Sequence, residues 1–340
     1  MSKSMSRPPM WKVWLVASRP HTLTASLAPA ILSYNAGMAI IDSIDSARYL
    51  YLTIQWAVFC MLMQLGTNLH NDYADFVKGA DNDKRVGQAR ATQKGWLTPA
   101  QTATAATTVL GLGFLLGMNF VMNIDRDQDG GWARTIWMVL IVVTSVFNAF
   151  AYTGGPWPLG YIGLEHFSIG YYGWGDLFVF LYFGLVATLT LPFLYLSSSS
   201  SSAGSSVSDK ELMNVLWTFL PYTIQVAVFA TNIIVVNNLR DRHTDVEANK
   251  RTLAVRFGAT FCRIEFIVNI VIAYGLVLWD WMTHSYSMCR LLPLVTFPLA
   301  LKEVQAIQTK EGALLNPHVG GCAKVQFLFC ILLSIALRLS

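Results

Sequence analysis

Charge is scarce in this chain. Asp, Glu, Lys and Arg make up only 13% of its 340 residues, where a soluble domain carries roughly a quarter. With 54% of residues hydrophobic and a mean hydropathy of +0.44, that deficit excludes a water-soluble protein with a large core. Cysteine is also sparse. Cys60, Cys262, Cys289, Cys322 and Cys330 have no C-x-x-C spacing and mostly fall inside apolar runs. This argues against a disulfide framework or thiolate zinc site and for small buried hydrophobes. No secretory signal stands before the first apolar run: MSKSMSRPPMWKVWLVASRP is short, basic and broken by prolines. Residues 1–10 fit the composition of an organelle transit peptide but are too few to carry that reading.

Long apolar runs are abundant. Segments of about 20 residues, the length a helix needs to cross hydrocarbon, lie near 20–41, 50–70, 99–122, 133–153, 174–196, 212–238, 262–282, 288–308 and 320–339. They are too long for barrel strands, and backbone groups in lipid must be satisfied within each segment. The expected fold is therefore an all-α integral membrane protein, a bundle of about nine transmembrane helices. Residues 1–10 read as a short tail and 11–340 as a single polytopic domain. Within it, LSSSSSSAGSSVSD (196–209) reads as a flexible low-complexity loop. DRDQDGG (125–131) lacks the downstream Glu of a calcium loop and reads as a polar turn.

Cations are unevenly placed between the spans. Counting cations toward the span ends with the adjoining loops, sixteen Lys and Arg fall on one side, at the N-terminal segment and the loops after the second, sixth and eighth spans; the other side has five. The positive-inside rule puts the sixteen in the cytosol or its equivalent. The net charge of +4 is thus a matter of topology and gives no reason to expect nucleic acid.

Two spans end in the same device. After the second comes NLHNDYADFVKGAD, with Asn68, Asp72 and Asp75 at i, i+4 and i+7, Gln64 one turn earlier and Asn71 alongside. After the sixth comes NNLRDRHTDVEANKRTLAVRFG, with Asn238, Asp241 and Asp245 at i, i+3 and i+7, then Lys250 and Arg251. Like charges one turn apart repel, and carboxylates near a membrane are costly to desolvate. A hard divalent cation such as Mg²⁺ would relieve both problems and is usually completed by substrate phosphates. The neighbouring Lys78, Arg85, Lys94, Lys250 and Arg251 suit a polyanion. The pair of clusters predicts a site for a Mg²⁺-bridged diphosphate at the membrane surface, its hydrophobic tail held in the bundle below. The bland alternative for each cluster alone is a solvated helix end.

These stretches resemble the two aspartate-rich motifs of the UbiA superfamily of intramembrane aromatic prenyltransferases, and most of all its 1,4-dihydroxy-2-naphthoate branch. SRPHTLTASLAPAILS, RATQKGWLTP, AYTGGPWPLGYIGL and GDLFVFLYFG match in the family's order, so the likeness runs from about Trp11 onward. The last acid of the first motif is displaced, with Gly79 at the usual place and Asp81 beyond it, as in the naphthoate branch. EHFSIGYYGW (165–174) interrupts the run between YIGL and GDLF, and the serine run hints at a eukaryotic source.

The resemblance implies a nine-helix bundle around a lipid-open cavity. It implies that Asn68, Asp72, Asp75, Asp241 and Asp245 hold Mg²⁺ and the diphosphate. Asn71 and Asn238 would help bind substrate, and Lys78, Arg85, Lys94 and Lys250 would neutralise the leaving group. A polyprenyl or phytyl diphosphate would alkylate dihydroxynaphthoate with loss of CO₂, within the lipid bilayer. Tyr152 is read either as steadying the allylic cation or as an interfacial belt residue. Arg19 is read either as meeting the acceptor's carboxylate or as a snorkelling cation. His21, His70 and His243 flank the motifs; a general base is conceivable there, and interfacial polar residues are the plainer reading. The membrane would be plastid, ER, Golgi or mitochondrial in a eukaryote and plasma membrane in a bacterium. Two rivals remain: a related enzyme acting on another aromatic acceptor such as homogentisate or 4-hydroxybenzoate, and a secondary transporter of an anionic metabolite.

Overall fold

Helix-start signals in the sequence fix where four of the long helices begin. The computed structural model describes residues 7–81, 85–154, 168–198, 207–284 and 287–340; most of the serine run, residues 165–167 of the interrupting stretch and the His21 side chain lie outside it. Asp45 caps helix α3 (Ser46–Val77), its carboxylate accepting from the Ala47 and Arg48 amides. Thr98 and Gln101 form a capping box at α4 (Pro99–Met122), Ser208 caps α9 (Asp209–Glu247), and Thr252 caps α10 (Leu253–Thr283). Each cap satisfies amides that would otherwise be orphaned. α1 (Met10–Ser18) is short and meets α2 (Pro20–Ile40) at Arg19, which takes a left-handed conformation. α5 spans Gly131–Ala151, α6 Ile169–Tyr172, α7 Gly175–Val179, α8 Ala187–Ser197, α11 Phe297–Thr309 and α12 Asn316–Leu339.

Among the described residues, eight helices are long and apolar enough to cross a membrane, and no strand is present beyond one isolated bridge, Ile124 to Ser198. The eighth expected segment, 288–308, differs. It begins as a 3-10 helix (Met288–Thr296) and becomes α-helical only at Phe297, because Pro293 and Pro298 remove amide donors. The fifth is one rod in three parts, with a π-helical stretch (Phe180–Val186) between α7 and α8.

Two apolar clusters hold the bundle. One joins α2, α9, α10 and α12 around Phe219, Phe229, Phe266 and Phe329. The other joins α2, α3, α4, α5 and α8 around Tyr49, Trp56, Phe59 and Phe120. Small residues let helices approach: a Cβ on Gly184 would lie 2.1 Å from that of Ala227, so only glycine fits the π-helix against α9 there.

α3 has 32 residues and α9 has 39, about 48 and 58 Å at 1.5 Å per residue against roughly 30 Å of hydrocarbon. Their last turns therefore outrun the apolar slab, and they do so at the same end of the bundle. At the other end Arg48 donates to the Ser198 carbonyl (2.7 Å) and Arg134 pairs with Asp209 (2.7 Å), gathering cations assigned to the opposite side.

Candidate active site

The two aspartate-bearing helix ends face one polar cavity of about 180 Å³. α3 contributes Asn71 and Asp75 to its wall; α9 contributes Asn238, Asp241 and Asp245. Arg85 and Arg90 come from the α3–α4 connection, and Lys250 from the turn after α9. A direct bond joins the motifs: Lys250 Nζ lies 2.9 Å from Asp75 Oδ1. The Asn249 backbone, in the left-handed region at φ 55°, turns the chain so that Lys250 points back across the cavity.

Three carboxylates of the first motif, Asp72, Asp75 and Asp81, are almost fully buried. Buried charge needs partners, and Arg90 supplies them. Its guanidinium lies 3.8 Å from Asp72, 3.4 Å from Asp75 and 3.4 Å from Asp81. Arg85 pairs with Asp81 as well. Tyr171 donates its hydroxyl to Asp75 Oδ1 (3.0 Å), and its ring lies 4.6 Å from the Lys78 ammonium and 4.7 Å from that of Lys250. Burial, reinforced by the nearby Asp75 charge, pushes the Asp81 carboxyl up to about 7. Burial pulls the Lys250 ammonium down, but Asp75 and Asp245 outweigh it and hold the group above the ordinary lysine value, so it stays charged.

The structure separates the expected site residues into those facing the cavity and those behind it. Asn71, Asp75, Arg85, Asn238, Asp241, Asp245, Lys250, Tyr152 and Arg19 line it. Asn68 does not. Its amide donates to the Ser18 carbonyl (3.1 Å) and Thr22 (3.0 Å) and accepts from Gln64 (3.0 Å), tying α3 to the α1–α2 junction. Asp72 sits one layer in, held by Thr92 through its backbone amide (3.4 Å) and hydroxyl (3.3 Å). Lys78 is spent on the Thr153 carbonyl (2.6 Å) and Ser168 (3.0 Å), and Lys94 is exposed on the connection to α4. Asp241 is gripped by its own neighbour, Arg240, at 2.8 and 2.6 Å. His70 packs edge-on against Phe150 (5.1 Å) and His243 is exposed; neither enters the wall.

Of the five residues expected to hold metal, Asp75, Asp241 and Asp245 line the cavity. Asn68 and Asp72 stand off the cavity, and among the described residues no three acids, histidines or cysteines converge into a metal cage. What remains toward the cavity is a hard-oxygen set, Asp75, Asp241 and Asp245 with the amides of Asn71 and Asn238. That donor chemistry fits a Mg²⁺ ion that keeps waters and is completed by phosphate oxygens.

Sequence reasoning missed Arg90 and Tyr171 as site residues. Arg90 opens the RATQKGWLTP stretch, so its signal was present; Tyr171 lies in the stretch read as an interruption.

Tyr152 stands where the polar cavity meets an apolar one of about 90 Å³ lined by Trp56, Phe59, Met63, Phe178, Tyr182 and Phe183. Its carbonyl accepts from the Gly170 amide (2.7 Å), so the described part of the interrupting stretch fixes its position.

Residues 26–314 match the UbiA prenyltransferase family. The chain is 28% identical to the 1,4-dihydroxy-2-naphthoate octaprenyltransferase of Mycobacterium tuberculosis over 88% of this chain and 87% of that one. Its fold is similar to the apo structure of a UbiA homolog from Aeropyrum pernix K1, with a TM-score of 0.61 over 92% of this chain and 97% of that one at 9% identity. It is also similar to a UbiA homolog from Archaeoglobus fulgidus bound to DMAPP and Mg²⁺, with a TM-score of 0.54 over 95% of this chain and 99% of that one at 13% identity. The chain is a member of the UbiA prenyltransferase family, a multi-pass integral membrane prenyltransferase.

Proposed function

We propose that residues 11–340 form one enzyme unit that transfers a polyprenyl or phytyl group from its diphosphate to 1,4-dihydroxy-2-naphthoate. The observation that carries this reading is the Lys250–Asp75 bond across a cavity walled by both motifs, opening past Tyr152 onto an apolar chamber. The acceptor is assigned on the naphthoate-type motifs and the name of the M. tuberculosis relative. The archaeal homolog bound to DMAPP and Mg²⁺ supports the metal.

Asp75, Asp241 and Asp245, with Asn71 and Asn238, would hold Mg²⁺ against the diphosphate. When bound, the metal would supply a Lewis-acid charge on the leaving oxygens. Arg85, Arg90 and Lys250 put fixed positive charge where the allylic C–O bond breaks and its electron pair passes to the diphosphate. Tyr152 presents its ring at the junction of the cavities, where an allylic cation would form. Trp56, Phe59, Phe178 and Phe183 keep water from that cation. The ring carbon bearing the carboxylate attacks, and loss of CO₂ returns the electron pair of the broken bond to the ring. Arg19, in the cavity wall, is positioned to meet the acceptor's carboxylate before it leaves.

The test is quinone mass spectrometry in a naphthoate-prenylation-deficient bacterium expressing this chain, beside membrane assays with labelled geranylgeranyl diphosphate. Prenylated naphthoquinone is expected. Alkylation of homogentisate or 4-hydroxybenzoate but not of dihydroxynaphthoate would refute the acceptor assignment.

A further inference from the structure

Asp176 is a buried acid outside the polar cavity. It stands in the first turn of the rod formed by α7, the π-helical stretch and α8, and is 4% exposed. Its carboxylate is held by its own backbone amide and by the Asn238 side chain, whose Nδ2 lies 3.1 Å from Oδ2 and 3.5 Å from Oδ1. Both partners are neutral, and neutral donors offset the desolvation of a buried carboxylate only in part. Bundle stability is therefore a weak reason for an acid here. The amide of Asn238 has two ends of opposite chemistry, an NH₂ that donates and an oxygen that accepts. An ionised carboxylate only accepts, so Asp176 takes the NH₂ end. Asn238 lines the cavity and Asp176 does not, which leaves the amide oxygen as the end turned toward it.

The rod holds Asp176 firmly in place. A Cβ on Gly175 would lie 2.9 Å from the Tyr152 hydroxyl, and Gly184 sits against Ala227 of α9, so close contacts flank the acid on both sides. Asp176 and Gly184 are eight residues apart. One α turn of 3.6 residues and one π turn about a residue longer together span about that distance. The π-helical stretch therefore sets both residues on the face turned to α9, where a plain α-helix would leave them roughly a quarter turn apart. Their partners Ala227 and Asn238 are eleven residues apart on α9, about three turns, and so share a face as well.

We infer that Asp176 is a positioning residue, which fixes the Asn238 amide with its NH₂ away from the cavity and its oxygen toward it as a hard ligand for the divalent ion. The inference rests on the metal–diphosphate reading above. It gives the GDLF stretch two tasks: room at Gly175 for Tyr152, and an acceptor at Asp176 for Asn238. Without that acceptor the amide is free to turn, and an NH₂ end facing the ion cannot ligate it. Partners that orient a metal ligand from behind change metal affinity by about 10–100-fold when lost.

The deciding experiment titrates Mn²⁺ into the full chain in nanodiscs with inorganic diphosphate, read by electron paramagnetic resonance, beside thermal melts of the same samples without metal. Asp176→Leu, which has the size of the acid but no acceptor, should weaken Mn²⁺ binding by about tenfold or more. The Mg²⁺ concentration for half-maximal prenylation should rise by a similar factor, with kcat at saturating Mg²⁺ changing far less. Asp176→Asn still offers an oxygen to the Asn238 NH₂ and should keep most of the binding. It also serves as the test if Asp176→Leu fails to fold. In an Asn238→Leu background, Asp176→Leu should bring no further loss of Mn²⁺ affinity, because Asp176 acts only through that amide. A lowered melting midpoint with Mn²⁺ binding intact would overturn the inference and make Asp176 a packing residue. Losses that add in the double variant, or an Asp176→Asn variant as weak as Asp176→Leu, would overturn it too. A wild-type chain that binds no Mn²⁺ with diphosphate would instead reject the metal–diphosphate reading, and the inference with it.

Discussion

The two aspartate-rich helix ends look alike in sequence and differ in the structure. At the end of α3, Asp72, Asp75 and Asp81 are 1%, 3% and 4% exposed and are knit together by Arg90, Arg85, Lys250, Tyr171 and Thr92. At the end of α9, Asp241 and Asp245 are half-buried; Asp241 is steadied by the adjacent Arg240, and both carboxylates face the cavity. One motif is therefore a pre-neutralised keystone, and the other is an open arm. The first must cost stability as well as activity when cut; the second should cost activity alone.

The largest contrast is expected between Asp75→Asn and Asp245→Asn. Loss of Asp75 leaves Lys250 and Arg90 short of a partner in a buried setting, where breaking an ion pair costs about 3–5 kcal/mol. Prenylation should be abolished and the unfolding midpoint in detergent should fall by several degrees. Asp245→Asn should lower kcat by about 100-fold or more, the range for lost transition-state electrostatics, with the midpoint unmoved. Equal destabilisation by both would erase the distinction.

Lys250→Gln sharpens the comparison, because Lys250 belongs to one motif and bonds the other. Activity is expected to drop by about 100-fold with some loss of stability, and a combined Lys250→Gln, Asp75→Asn variant should be no less stable than Asp75→Asn alone, since one bond is being removed twice. Strict additivity in thermal melts would mean that the two groups do not interact.

A smaller effect is expected at Asn68, which the resemblance placed among the ligands and the structure places behind them. Asn68→Ala should cost about 1–3 kcal/mol through its lost hydrogen bonds while folded protein keeps most of its activity at saturating Mg²⁺. A metal requirement shifted by tens-fold would return Asn68 to the ligand set.

The smallest effect concerns Asp81. Its carboxyl is held up at about 7, so between the ordinary aspartate range and that value the folded state binds more protons than the unfolded one. Stability should therefore fall as pH rises through that window and then level off. The slope should flatten in Asp81→Asn; an unchanged slope would assign it elsewhere.

Much of this architecture was legible in the residues. Apolar run length marked the spans, and the i, i+3, i+4 and i+7 spacing of Asn68, Asp72, Asp75, Asn238, Asp241 and Asp245 foretold two polar stripes at one end of the bundle. Helical spacing gives which face a residue shares, but not which way that face turns once the bundle packs. Asn68 and Asp75 share a stripe, yet one meets α2 and the other the cavity, because α1 and α2 close over the earlier turn. Arg90 and Tyr171 were missed as site residues for another reason, although Arg90 lies in a stretch that the resemblance matched. Arg90 reaches the site from the α3–α4 connection and Tyr171 from the four-residue helix α6, both too short for a period to predict direction. The break at 288–296 follows from Pro293, a signal that hydropathy alone smooths over.

The central claim is that both helix ends grip one divalent ion together with a diphosphate. Mn²⁺ binding, read by electron paramagnetic resonance in the presence of inorganic diphosphate, tests it most directly. The wild-type chain should hold Mn²⁺ tightly only when diphosphate is present, and Asp75→Asn and Asp245→Asn should each weaken that ternary binding by about tenfold or more. Binding that survives undiminished when either carboxylate is lost would contradict the account.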